Sequence, residues 1–158
     1  EIPPVMFRNP LYFIISVLTA NLAFLFLYFN KGISKRNIAS ITEKLLFWFD
    51  TLGLAAFTVD GVSAGMQVGD QKSLFLVVFL GTITGVGGGI MRDILANETP
   101  YIFVRHIYAI ASILGALTAG IFWPVLGQNH AILIGFLLTI LIRCLAAHYK
   151  WNLPHIRK

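Results

Sequence analysis

Gly81-Thr82-Ile83-Thr84-Gly85-Val86-Gly87-Gly88-Gly89, followed closely by Arg92-Asp93, is the stretch of this chain best suited to chemistry. It lies inside an apolar run, 73–96, long enough to cross a bilayer. Non-helical backbone at membrane depth leaves N–H and C=O groups without partners, so a break survives only where protein or a water-filled cavity satisfies them. Gly85 and the run Gly87, Gly88 and Gly89 are therefore expected to kink the span and turn freed carbonyls, with the Thr82 and Thr84 hydroxyls, toward a cation or small solute. A plainer reading is close helix packing through the small residues Gly81, Gly85 and Gly89, one turn apart. Each glycine costs about 1 kcal/mol of helix propensity, and packing alone does not require so many, so the functional reading leads.

Arg92 and Asp93 fall near one end of the same span. They read either as an interfacial pair snorkelling to the headgroups or as a functional pair. In the second case Arg92 is a fixed positive charge at a pore constriction, repelling cations or held by a carboxylate such as Asp50. The preceding span carries two carboxylates, Asp50 and Asp60. A charge at the centre of a membrane helix costs about 2.5–3.5 kcal/mol on insertion scales, so it is usually paired or faces a cavity. Ten residues of helix rise about 15 Å, and the rotation between the two allows both carboxylates to face one bundle interior.

His106, His130, His148 and His155 show no metal-ligand spacing and sit at span ends. Trp48, Trp123 and Trp151, with Tyr12, Tyr101, Tyr108 and Tyr149, fall near span boundaries and read as interfacial aromatic belts. The glycine run lacks the final glycine and the strand–helix context of a dinucleotide fingerprint. No nucleophile–base, paired-carboxylate or phosphate-loop arrangement is present, so no enzyme is expected. No metal or cofactor is expected beyond bound lipid and a permeating K+ or Na+.

The elements that position these residues follow from composition. Of the 158 residues, 57% are hydrophobic and 12% charged, with a mean hydropathy of +0.78; soluble domains carry roughly 25% charged residues. Five segments, 10–30, 44–66, 73–96, 103–124 and 129–149, have spanning length. The net charge of +5 is scattered over short loops rather than collected on one face, which argues against nucleic acid. Lys31, Lys35, Arg36, Lys44, Arg92, Arg105, Arg143, Lys150, Arg157 and Lys158 all fall on one side of the membrane, against Arg8 and Lys72 on the other. The positive-inside rule makes that side, and the C-terminus, cytoplasmic. Cys144 is the only cysteine, so there is no intrachain disulfide. No signal peptide is visible before Glu1, and the chain is not expected to begin where translation begins.

An internal repeat is also present. Glu1-Ile2-Pro3-Pro4-Val5-Met6-Phe7-Arg8 aligns without gaps on Glu98-Thr99-Pro100-Tyr101-Ile102-Phe103-Val104-Arg105, sharing Glu, Pro and Arg, and Leu18-Thr19-Ala20 echoes Leu117-Thr118-Ala119. The repeat places two further spans ahead of residue 1, giving seven in all. A three-helix repeat inverts its second copy relative to the first, the construction of many transport proteins.

The run Gly81 to Leu95, with Asn97-Glu98-x-Pro100, the preceding Phe49-Asp50-Thr51-Leu52-Gly53-Leu54-Ala55-Ala56-Phe57 and the closing Trp151-x-x-Pro154, resembles the prokaryotic trimeric intracellular cation channel family, also described as glycine-transporter-like. The resemblance implies an all-α membrane fold of two inverted three-helix repeats plus one helix. It further implies a homotrimer with a pore in each subunit, running between two kinked helices, one from each repeat, and passing potassium and sodium. On this chain, 1–30 would be the last helix of the first repeat, 31–43 a cytoplasmic loop, 44–124 the second repeat and 129–158 the extra helix and tail. The expected function is a monovalent cation channel of a bacterial or archaeal inner membrane. The alternatives are a secondary transporter of glycine or another small solute, and a membrane scaffold held by small-residue packing.

Overall fold

The computed structural model describes residues 10–29, 35–67, 73–100, 102 and 107–150. Among the described residues there are five α-helices and no strand: α1 (Pro10–Phe29), α2 (Lys35–Gln67), α3 (Leu74–Leu95), α4 (Ile107–Leu126) and α5 (Gln128–His148). Thr42–Gln67 and the whole of α3, α4 and α5 are long and apolar enough to cross a membrane, and α1 is an apolar helix of 20 residues. The chain divides into two compact units, Glu1–Glu43 and Lys44–Lys158. The first copy of the repeat, Glu1 to Arg8, lies outside the described residues, as do Lys31, Lys72, Tyr101, Arg105, His106, Trp151, Pro154, His155, Arg157 and Lys158.

Two expectations are corrected. Residues 35–43, read as loop, begin α2, a helix of 33 residues. At 1.5 Å per residue it is far longer than the roughly 30 Å hydrocarbon core. Apolarity marks only the part suited to lipid, whereas backbone hydrogen bonding carries the helix on through the polar Lys35–Glu43 stretch. Nor do Gly85 to Gly89 interrupt α3, which is helical without a gap from Leu74 to Leu95. The glycines lose helix propensity, but two of them, Gly85 and Gly89, stand where a Cβ would strike a side chain of a neighbouring helix, so close packing accompanies the continuous helix.

The ends of α3 are set by side-chain chemistry. Ser73 caps the start, its hydroxyl accepting from the Leu76 amide at 3.5 Å. At the other end the Glu98 amide donates to the Asp93 carbonyl and the Asn97 amide to the Ile94 carbonyl, at 2.9 and 3.0 Å. Asn97 adopts φ 55°, the left-handed conformation that this closing motif requires and that Asn tolerates. The α4–α5 connection is the single residue Gly127 at φ 78°, so these helices pack as antiparallel neighbours. Pro124 sits in the last turn of α4.

Within the second unit the core has two parts. Val62, Met66, Val77, Ala116 and Ala119 form one, with Val78 and Trp123 against it. Leu54, Val86, Tyr108 and Ala111 form the other, with Ile90 and Ile142 alongside. The buried face of α5 is Ala131, Gly135, Thr139 and Arg143, four residues apart each time, which is one stripe of a helix. Gly135 lies against Ala119 of α4 and Val59 of α2, so the stripe is small where helices cross and charged at its end.

Candidate functional site

Alternating spans bring the middle of α2, the end of α3, the start of α4 and the last turns of α5 to one side of the bundle. Asp50, Arg92 and Asp93, Tyr108, and Arg143 sit at those four places and converge there. Asp50 is the node. Its Oδ1 accepts from Arg92 Nη1 at 2.7 Å and from the Tyr108 hydroxyl at 3.2 Å, while its Oδ2 accepts from Arg143 Nη2 at 2.7 Å. Arg92 turns its remaining face to Asp93, donating from Nε and Nη2 to Oδ1 at 2.9 and 2.7 Å. One carboxylate thus ties α2 to three other helices.

Among the described residues two carboxylates face two guanidiniums, and each bond between them is charge-assisted. The Asp50 and Arg143 side chains are each 7% exposed, whereas Arg92 is 31% exposed. Arg143 is held further by two rings, with its guanidinium carbon 4.6 Å from the Tyr108 centroid and 5.2 Å from that of Phe47. It is the fixed cation of the pair, and Arg92 is the one that reaches an open surface.

That surface is a groove of about 260 Å³ lined by Leu46, Phe49, Phe57, Gly85, Gly88 and Gly89, with Asp50, Arg92 and Tyr108 at one end. The glycines of α3 differ from one another in what surrounds them. A Cβ at Gly85 would meet Thr58 Oγ1, and Ser112 Oγ at 2.8 Å; these two hydroxyls are themselves hydrogen-bonded at 2.7 Å. A Cβ at Gly89 would run into the Tyr108 hydroxyl, whereas one at Gly88 would make ordinary contact with Phe57 at 3.6 Å and one at Gly87 would meet nothing within 4 Å. Gly81 is packed against Val62 and Ala116.

Not every residue singled out from the sequence reaches this place. Neither Thr82 nor Thr84 lines the groove. Thr84 Oγ1 lies where a Cβ on Gly61 would be, and Thr82 Oγ1 is buried without a hydrogen-bond partner among the described residues. Asp60 does not share a face with Asp50: it is exposed, with no ion pair among the described residues, beside Ala56, Val59, Ser63, Ile132 and Phe136 in a second groove of about 250 Å³. The ten-residue offset leaves the two carboxylates about 80° apart around the helix, and the bundle covers only one of those directions. Among the described residues no three His, Cys, Asp or Glu side chains converge on a point that would hold a metal.

Two members of the cluster were read otherwise from the sequence. Tyr108, expected in an interfacial belt, is buried and bonded to Asp50. Arg143, counted among the topology-setting charges, is buried to 6% exposure. The signal for Arg143 was present: it stands within Leu141-Ile142-Arg143-Cys144-Leu145, a charge inside an apolar run, and such a residue needs an opposite charge on another helix.

The family described as Glycine transporter matches residues 47–124, which contain Asp50, Arg92, Asp93, Tyr108 and the glycine run. The UPF0126 membrane protein YvgT of Bacillus subtilis is 32% identical over 136 residues, 81% of this chain and 65% of its own length. A UPF0126 membrane protein of Deinococcus radiodurans is 33% identical over 156 residues, 98% of this chain and 67% of its own length. The chain thus spans about two thirds of the length of these relatives. A solved structure of a TRIC cation channel superposes with a TM-score of 0.77 at 32% identity, covering 99% of this chain and 72% of that one.

Proposed function

This chain belongs to the TRIC channel family, and from that premise we propose that it serves in a monovalent cation channel whose ions pass along the glycine face of α3. The observation that carries the reading is the groove. Gly85, Gly88 and Gly89 line it together with Arg92 of the carboxylate–guanidinium cluster. At Gly88, where a Cβ would meet only the Phe57 ring at 3.6 Å, the missing side chain leaves width for water, and the partly exposed Arg92 sets the local potential that a passing cation meets. The channel is a homotrimer with one pore per subunit, the second wall coming from the counterpart of α3 in the first repeat. It resides in the cell membrane with its C-terminus in the cytoplasm and lipid around it, as the distribution of Lys and Arg supports. No catalysis is proposed.

Planar-bilayer recording of the full-length protein in asymmetric potassium chloride tests this. Unitary cation-selective steps, altered in size or open time by Arg92→Ala, are expected. Silence from intact trimers would overturn the reading; saturable uptake of labelled glycine, abolished by Gly88→Leu, would then favour a transporter.

A further inference from the structure

We propose that Gly89 is a positioning residue: its missing side chain is the space through which the Tyr108 phenol reaches Asp50. The three consecutive glycines are not equivalent. Gly87 has room for a Cβ and Gly88 has ordinary contact, but a Cβ at Gly89 would occupy the place of the Tyr108 hydroxyl, with the ring carbon Cζ at 3.2 Å and Asp50 Oδ1 at 3.5 Å. Tyr108 has no easy retreat, because it is 2% exposed and packed with Leu54, Val86 and Ala111. Its ring also carries the Arg143 guanidinium on its face. Displacing the phenol therefore removes a donor from the same Asp50 oxygen that holds Arg92, and shifts the ring that helps to fix Arg143.

Gly89 thus acts through steric vacancy. Helix flexibility is not needed to explain it, since α3 is helical on both sides of it. The consequence for conduction rests on the groove being the ion path; the packing relation does not. In the channel, Gly89 fixes where Arg92 stands by deciding whether Asp50 Oδ1 carries one donor or two.

A double-mutant comparison in the full-length protein tests the inference: Gly89→Ala, Tyr108→Phe and both together, read by thermal unfolding of the detergent-solubilised protein and by bilayer recording. Gly89→Ala alone is expected to lower the unfolding temperature and to change the unitary current in the same direction as Tyr108→Phe. In the Tyr108→Phe background the oxygen that the new methyl would strike is gone, so adding Gly89→Ala should lower the unfolding temperature by roughly half as much or less. Equal losses in both backgrounds would overturn the inference and return Gly89 to a backbone role. If the wild-type protein carries no current, the channel reading fails while the unfolding comparison still decides the role of Gly89. If the current is present and Gly89→Ala and Tyr108→Phe change it in opposite directions, the positioning role fails while the channel stands.

Discussion

Removing one partner of the Asp50–Arg143 pair and then both measures how far this cluster holds the bundle together. The two side chains meet at 2.7 Å and are each 7% exposed, so water can compensate neither if the other is lost. Asp50→Asn keeps the shape but leaves Arg143 facing a neutral amide in place of its carboxylate. Arg143→Met leaves Asp50 with Arg92 and Tyr108 as its donors among the described residues. Breaking a buried pair from one side costs about 3–5 kcal/mol, whereas replacing both partners by neutral groups is often near neutral. Each single variant is therefore expected to lose about 3 kcal/mol or more. The double variant keeps the neutral Arg92–Asp93 pair and should be destabilised by about 2–4 kcal/mol less than the sum of the singles. Denaturant titration of the detergent-solubilised protein, followed by tryptophan fluorescence, gives the four free energies. Additive losses would refute the reasoning, because they would mean that the two charges do not stabilise each other in the fold.

Gly85→Ala would place a methyl against the Thr58 and Ser112 hydroxyls and should lower the unfolding temperature, while Gly87→Ala, with nothing within 4 Å, should raise stability by up to about 1 kcal/mol through helix propensity. Thr58→Val strands the fully buried Ser112 hydroxyl and should cost about 1–3 kcal/mol by denaturant titration, most of it recovered in the Thr58→Val/Ser112→Ala double variant. Asp60→Asn touches a carboxylate that has no ion pair among the described residues, so the unfolding free energy in detergent should move by no more than about 0.5 kcal/mol. A much larger loss would show that Asp60 is paired in the assembled protein.

The sequence by itself determined that this is an all-helical membrane protein and roughly where its spans lie, and it singled out the glycine run with Arg92 and Asp93 as candidate residues. Those features are local: spanning length, the scarcity of charge within each span, and a motif within one helix. It also named Asp50 as a carboxylate able to hold Arg92, because an intramembrane acid and base seek each other. What it did not determine is which side of each helix faces inward. A helix apolar all round carries no amphipathic signal when lipid and core are equally apolar, so the turn of Asp60 away from Asp50 had no periodicity to announce it. The partners of Arg143 and Tyr108, and the different surroundings of Gly85, Gly87 and Gly89, were decided only by tertiary structure. They depend on which atoms of other helices come near, with Tyr108 58 positions and Arg143 93 positions from Asp50, and although a charge in an apolar run signals that Arg143 needs a partner, no local pattern says which one.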